Sequence, residues 1–383
     1  MLSVLVHFFE QGRWDSPVKI GVNGQSLTAE DQLFILTQAG LYLSVTQGLG
    51  APEARICYER AESLCHSLNR PLIGQWRYSL ITEKLTATMQ IAQRVYALAQ
   101  EQNDPALLMG AYRALGCTLC FLGDFDSARQ YAMRGVEIWR SGGVQSPVEE
   151  IASPAVFFLC YGALSEWHLG EIDSCRATMA EAISLAKELN DMHALVVALT
   201  FGAILGHFER NPAEVERLAS DLIELSTRQN FVRWLPGGEV LRGWAHSASG
   251  DTAEGISLIQ SGIEDNRATG STLMVPLFLA LKAEALHLAD RTSEALEAIR
   301  EAEALAERFE GRWWSAELHR LRGVFLTATG ADNAQIETSF CKAIGMAKQQ
   351  KSISLAKRAE GTYAEYQRQK VSALRGRGFR LPL

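Results

Sequence analysis

Apolar residues along this chain keep a helical beat inside units of about forty residues. Around Asp290, Leu277, Leu281, Ala285 and Leu288 fall at steps of three and four. After it, Ala295, Leu296, Ile299, Ala302 and Leu305 do the same. This is the apolar stripe of an amphipathic helix. Ser293-Glu294 follow the turn with groups that suit a helix N-terminus. Two helices joined so closely must pack antiparallel. Equivalent turns fall near Gly48–Gly50, Glu83, Gly123, Gly170, Asn211, Gly250, Asp290 and Gly330. From Gly170 onward the steps are 41, 39, 40 and 40 residues, whereas Gly123 to Gly170 spans 47. The excess coincides with Ser141-Gly142-Gly143-Val144-Gln145-Ser146-Pro147, whose Gly, Ser and Pro content marks a loop.

A repeat of this length is the mark of a solenoid. Small residues identify its kind. Gly116, Ala163, Gly243, Ala283 and Gly323 stand about seven residues before a turn. Ala128, Cys175, Gly255 and Ala295 stand about five after it, and Gly135, Ala182, Gly262 and Ala302 seven beyond that. At such places helix backbones approach closely, and a large side chain would wedge them apart. The pattern is the tetratricopeptide one, stretched from 34 to about 40 residues. It predicts an all-α, right-handed superhelical solenoid of tetratricopeptide-like helix pairs, about eight units long. Residues 29–370 form the superhelix, with a loop insertion near 141–153. Residues 1–28 fit no unit, and 371–383 read as a basic flexible tail.

At 383 residues the chain exceeds what one compact core usually supports, a limit that a solenoid avoids. Hydrophobic content of 47% with 21% charged residues describes an ordered chain. A net charge of −7 argues against direct nucleic-acid binding, which needs a basic stripe. Arg368, Lys370, Arg375, Arg377 and Arg380 are the local exception and read as a solvated terminus. Seven scattered cysteines make no disulfide framework, so a reducing, cytoplasmic setting is expected. The apolar start, Met1 to Phe9, lacks a basic region and a cleavage site and is too short to cross a bilayer. No membrane association is expected, and self-association through the uncapped N-terminal end is left open.

Motifs of catalysis are missing. There is no G-x-x-x-x-G-K-[ST] to cradle phosphates, no G-x-S-x-G and no H-x-x-x-H pair. Cys117 and Cys120, three apart on a helix, share one apolar face. No catalytic, cofactor-binding or metal-ligating residue is expected, and the chain reads as a non-enzyme. A concave binding face is the alternative, since first helices line it in such superhelices. Four residues beyond each small residue stand Cys120, Trp167, His207, Ser247, His287 and Thr327. Three before stand Arg113, Cys160, Val240, Ala280 and Arg320, and just after stand Trp244 and Glu284. Arg113, Trp167, His207, Trp244, Glu284, His287 and Arg320 are therefore the candidate groove residues for a protein or peptide, with a small-molecule effector as the other option. Of Trp313 and Trp314, one is expected in the core and the other against the neighbouring repeat, because adjacent helical residues point about 100° apart.

The string Gly311-Arg312-Trp313-Trp314-Ser315-Ala316-Glu317-Leu318-His319-Arg320-Leu321-Arg322-Gly323 resembles a signature unit of a large bacterial family. So do Leu241-Arg242-Gly243-Trp244-Ala245 and Gly50-Ala51-Pro52-Glu53 with Tyr58-Glu59-Arg60-Ala61. The family comprises multidomain signalling proteins in which predicted ATPases are fused to a class III adenylate/guanylate cyclase or a winged-helix DNA-binding domain. Their C-terminal half is a tetratricopeptide superhelix similar to that of the maltose transcriptional activator. The resemblance spans about Leu33 to Lys370. It implies a scaffold that binds a partner or senses an effector in signal transduction or transcription regulation. The alternative is the regulatory C-terminal part of a nucleotide-using enzyme, either ATPase or cyclase, whose catalytic domains this sequence does not carry.

Overall fold

Every turn that the apolar pattern places between two helices, and that falls on described residues, separates two helices in the structure. The computed structural model describes residues 28–46, 52–68, 73–142 and 152–373, with Leu381 and Leu383. The turn at Gly48–Gly50, most of the 141–153 loop, nearly all of the 1–28 segment and the arginines of the tail lie outside those residues. In chain order the helices are α1 (Ala29–Thr46), α2 (Pro52–Leu68), α3 (Ile73–Thr82), α4 (Leu85–Gln102), α5 (Pro105–Leu122) and α6 (Phe125–Arg140). Next come α7 (Pro154–His168), α8 (Ile172–Glu188), α9 (Met192–Phe208), α10 (Pro212–Gln229), α11 (Leu235–Ala248) and α12 (Thr252–Ala268). The last are α13 (Val275–Leu288), α14 (Thr292–Phe309), α15 (Ser315–Ala328), α16 (Asn333–Gln349) and α17 (Ile353–Ala373). They form eight pairs and one final helix, with no strand among the described residues. The fold is an all-α solenoid of tetratricopeptide-like helix pairs.

Local chemistry sets the boundaries. Asp191 accepts from the Ala194 amide at 2.9 Å and opens α9, while Asn211 and Asp251 do the same for α10 and α12. Pro105, Pro154 and Pro212 occupy the first helical position, where the missing N–H costs nothing. Ser293 does not cap α14. Its helix begins one residue earlier, and Arg291 holds Glu294 by two bonds of 2.7 and 2.6 Å.

First and second helices differ in what surrounds them. Every residue of α7 is buried, and α9 is buried all round except near its start. Helices of that kind belong to a core. The second helices α6, α10 and α14 bury one stripe and expose the rest. The solenoid thus has an inner layer of apolar helices and an outer layer of amphipathic ones. Pro105–Leu122 is the one described helix long and apolar enough to cross a membrane, and most of that stretch is buried against its neighbours here.

The small residues sit where helices touch. A Cβ on Gly243 would stand 2.6 Å from the Gly255 carbonyl oxygen, and one on Gly262 would stand 2.7 Å from that of Pro236. Ala163, Ala283, Ala128, Ala295, Ala182 and Ala302 at the matching offsets are fully buried.

One further set of contacts has no counterpart in a simple stack of neighbours. Thr272, just before α13, donates its amide and its hydroxyl to the Ile81 carbonyl at the end of α3, at 3.0 and 2.6 Å. The amides of Arg312 and Trp313, just before α15, donate to the Phe121 carbonyl at the end of α5, at 2.8 and 3.1 Å. Ser354, opening α17, donates to the Trp167 carbonyl at the end of α7 at 2.5 Å, and Ser352 meets His168 Nδ1 at 2.9 Å. These partners lie 184 to 192 residues apart, which is five units. Successive turns of the superhelix therefore rest on one another, and its interior is closed.

The glycine contacts give a direct test. Gly243→Ala or Gly255→Ala pushes a methyl group into backbone and is expected to lower the unfolding free energy by about 1–3 kcal/mol. Gly345→Ala, on α16 with nothing within 4 Å of its Cβ, is expected to raise it by about 0.5–1 kcal/mol. Urea unfolding followed by circular dichroism reads both; equal effects at Gly243 and Gly345 would refute the close approach.

Candidate functional site

Closure of the superhelix decides where the candidate residues lie. Arg113, Trp167, His207, Trp244, Glu284 and Arg320 are all buried, none more than 5% exposed. His287 is half-buried, with Nδ1 2.9 Å from Thr292 Oγ1 beside Phe325. The residues do face inward, but the side they face is a filled interior and not an open groove. Trp313 and Trp314 show why. Trp314 stacks on Phe208 of α9 at 4.2 Å, and Trp313 meets the edge of Phe121 of α5 at 5.3 Å. Both rings cross to units of the preceding turn, and neither simply bridges to the repeat alongside. Trp167 lies 4.6 Å from Phe208 and 6.4 Å from Trp314 in the same aromatic seam.

Beside that seam is a buried polar network built from five helices and a turn. Glu284 of α13 accepts from Trp244 Nε1 at 3.0 Å, from His207 Nε2 at 3.2 Å and from Arg210 in the α9–α10 turn. Glu317 of α15 accepts from Arg320 at 2.8 and 2.9 Å, and from Arg210 and Arg358 at 3.2 Å each. Arg358 of α17 also donates to the Phe208 carbonyl, and Arg320 to Thr362 at 3.3 Å. Burial alone would raise both carboxyl pKa values. Arg210 and His207 outweigh it at Glu284, which is held well below the usual range. Arg320 and Arg358 outweigh it at Glu317, held at about 2. At His207 burial outweighs Glu284 and pushes the imidazole pKa down. Four of the candidate residues, His207, Trp244, Glu284 and Arg320, thus belong to one network that locks the two turns together.

The remaining candidate, Arg113, lies elsewhere in the interior. It lines a cavity of about 80 Å³ ringed by α1, α3, α5, α7, α9 and the segments preceding α11 and α13. Its guanidinium lies over the Phe157 ring at 3.6 Å and faces Trp76 at 5.8 Å. Arg77, Arg233 and His193 line the same space, and no carboxylate does so among the described residues. Burial and the nearby Arg77 lower the Arg113 pKa to about 9. Burial, with Arg77 opposing its charge, brings Arg233 to about 10, and burial beside the three arginines brings His193 to about 3.

Sequence reasoning missed Arg77, His193, Arg210, Arg233, Glu317 and Arg358. Two signals were present. Glu317 precedes Arg320 by three residues, an ion-pair spacing on a helix. Arg233-Trp234 and Arg312-Trp313 repeat an Arg-Trp pair just before a first helix, two units apart. Cys117 and Cys120 are buried thiols, and burial pushes Cys117 up to about 12, away from thiolate chemistry. Among the described residues, His246, Asp251 and Glu254 could reach one metal ion at the α11–α12 turn. Asp251 already serves there as the α12 cap.

No known family profile matches the chain. An uncharacterised protein of Rhizobium meliloti is 23% identical over 355 residues, which cover 90% of this chain and 34% of that protein. The chain thus spans about a third of the length of the curated relative that it matches. Among solved structures, a Rap protein complexed with competence and sporulation factor is similar with a TM-score of 0.56 at 11% identity, covering 89% of this chain and 99% of that one. NprR in complex with its cognate peptide NprX gives 0.52 at 12% identity, covering 88% and 99%. The Rap conjugation gene regulator of plasmid pLS20 with the Phr* peptide gives 0.51 at 10% identity, covering 89% and 96%. At such identities the likeness is one of fold: these are helical-repeat solenoids, as this chain is.

The network has a pH signature. Glu317 titrates near 2 in the native state and near 4.3 in an unfolded chain. As pH falls the unfolded state takes up its proton first. The stabilisation is complete above about pH 4.5 and is lost as the pH approaches 2. Glu317→Gln leaves three arginines around a neutral group and is expected to cost about 3–5 kcal/mol at neutral pH. It should also flatten the fall of stability in the acid window. Urea unfolding at a series of pH values measures both, and an unchanged acid slope would contradict the assignment.

Proposed function

We propose that this chain is a non-enzymatic regulatory scaffold that binds a protein or peptide partner and senses an effector within its superhelix, in bacterial signal transduction or transcription regulation. The observation that carries the reading is the cavity beside Arg113, a cationic, aromatic-lined space in the inner layer of the solenoid. Small-ligand sites commonly take that form, apolar walls with a few convergent polar groups. The three neighbours of similar fold are named as complexes with a factor or a peptide, which supports a ligand-binding role for this architecture. The Arg312-Trp313-Trp314 unit supports placing the chain with maltose-activator-like superhelices. In this reading Arg113 touches ligand, while Trp167, His207, Trp244, Glu284 and Arg320 hold the turns in register around it. Five buried cysteines without a disulfide among the described residues support a cytoplasmic setting.

A second reading draws on the length relation. Because the chain matches about a third of a much longer relative, the same superhelix suits the regulatory part of a nucleotide-using signalling protein, an ATPase or class III cyclase. Its ligand would then control chemistry carried out by other domains.

Hydrogen exchange on the purified chain, with and without the peptide and metabolite fractions of the host cell, tests the scaffold reading. Protection is expected in α5 and α7 around Arg113 and Phe157, with no turnover of ATP or GTP. Hydrolysis or cyclisation of nucleotide by the chain alone would overturn the non-enzymatic assignment. Absence of protection by every fraction would overturn ligand sensing.

A further inference from the structure

The outer helices carry a ladder of ion pairs that changes sign at one rung. The fifth residue of α6 is Arg129, which pairs with Glu171 at the next inter-helix turn. The fifth residue of α8 is Arg176, which pairs with Glu209 at 3.0 Å. The fifth residue of α10 is Glu216, yet the next such turn again offers acids, Asp251 and Glu254. No lysine or arginine among the described residues lies within ion-pair distance of these three carboxylates. Carboxylates gathered without a cation repel one another, and each disfavours the charge of the next.

His246 of α11 stands among them. Three residues beyond the small residue, the same place holds Leu119, Leu286 and Leu326 in other units and Glu166 in one. Helix packing therefore does not require an imidazole here. Its Nε2 lies 3.3 Å from Glu216 Oε2, and its Nδ1 lies 3.6 Å from Glu254 Oε2, beyond hydrogen-bond length. One imidazole nitrogen and one oxygen each of Asp251 and Glu254 all lie within 4.8 Å of one another. Ligands about 2.1 Å from a tetrahedral ion stand about 3.4 Å apart, a spacing that small rotations of exposed side chains supply. Asp251 gives one oxygen to the Glu254 amide as the α12 cap and keeps the other. Glu216 Oε2 is buried and accepts no hydrogen bond, while Ser220 donates to Oε1 at 3.2 Å. A cation on Nδ1 keeps the ring proton on Nε2, the nitrogen that faces this unmet oxygen.

We propose that His246 Nδ1, Asp251 and Glu254 form a divalent metal site of the zinc class, with Glu216 holding the imidazole from behind. One imidazole and two carboxylates make a mixed nitrogen and oxygen set, which suits Zn²⁺, whereas Mg²⁺ and Ca²⁺ take oxygen alone. Three protein ligands leave the fourth position to water. A carboxylate on the far nitrogen of a metal-binding histidine fixes its tautomer and orientation, which is the place Glu216 occupies. The metal would tie α10, α11 and α12 together and supply the charge that Arg129 and Arg176 supply at the two earlier rungs. The site lies on the outer layer, apart from the interior cavity, and stands or falls independently of effector sensing there.

The test uses the untagged full chain, freed of metal by a chelator and carrying Cys341→Ser to remove an exposed thiol. Calorimetry with Zn²⁺ alone, and with Mg²⁺ alone for comparison, reads affinity and stoichiometry. One zinc per chain is expected to bind and to raise the thermal midpoint, with Mg²⁺ weaker by about tenfold or more. His246→Leu installs the residue of the matching positions and should weaken zinc by about tenfold or more and cancel the rise in midpoint. Glu254→Gln alters an exposed residue and should weaken zinc as much, so the site is tested even where His246→Leu fails to fold. Glu216→Gln touches no ion and should cost about 10–100-fold in affinity. Circular dichroism checks each variant. If the acids merely hold a protonated His246, no zinc saturates the chain, and that result overturns the proposal. So does Mg²⁺ binding as tightly as Zn²⁺, or full zinc affinity in folded His246→Leu or Glu254→Gln.

Discussion

The structure depends on where the last carbonyls of its inner helices find donors. A helix end leaves four carbonyls without intrahelical partners. At the ends of α3, α5, α7 and α9 these groups face the interior, where water cannot reach them freely. Their donors come from four or five units further on: Thr272, the amides of Arg312 and Trp313, Ser354, and Arg358. A buried carbonyl left unmet costs about 1–3 kcal/mol, which exceeds the net gain of a typical hydrogen bond. The requirement therefore acts mainly as a constraint on pitch. The superhelix winds tightly enough for one turn to sit on the next, and the space that would be a groove becomes a core.

Closure then dictates the chemistry inside. Once the interior is sealed, a carboxylate is tolerated only with cations and donors around it, and Glu284 and Glu317 have five such residues between them. Those residues come from α9, the turn after it, α11, α15 and α17, so charge pairing and turn stacking are one arrangement. In an ideal solenoid each unit feels only its neighbours. Here Arg358 and Trp314 tie units of different turns, and the array gains the long-range cooperativity of a globular core.

Much of this was legible in the sequence. The turns at Glu83, Gly123, Gly170, Asn211, Gly250, Asp290 and Gly330 follow from periodicity, which depends on neighbours along the chain. The close helix contacts follow from Gly243, Gly255 and Gly262 for the same reason. Pitch does not. It is fixed by contacts 150 to 192 residues apart, and a forty-residue period carries no trace of them. Arg113, Trp167, His207, Trp244, Glu284 and Arg320 were found because inward-facing positions can be counted from the small residues. They were expected to line an open groove because the count cannot show what lies across the axis. Arg210 and Arg233 were missed for a related reason: they sit in turns and linkers, to which a helical register assigns no direction.

The two halves of the interior are polar in different ways. Around Arg210 two carboxylates meet three guanidinium groups, and removing any one breaks an ion-paired set. Around Arg113 the described groups are cations and donors, held by stacking on Phe157 and Trp234. The cavity also lies on the seam between turns, since Ile81 of α3 and Leu273 before α13 both border it, next to the bond from Thr272 to Ile81. A ligand held there would touch both turns, and the difference in its affinity for the closed and an opened superhelix is the whole of what it could contribute to a conformational equilibrium. The ion-paired network around Arg210 ties the same turns without any added molecule.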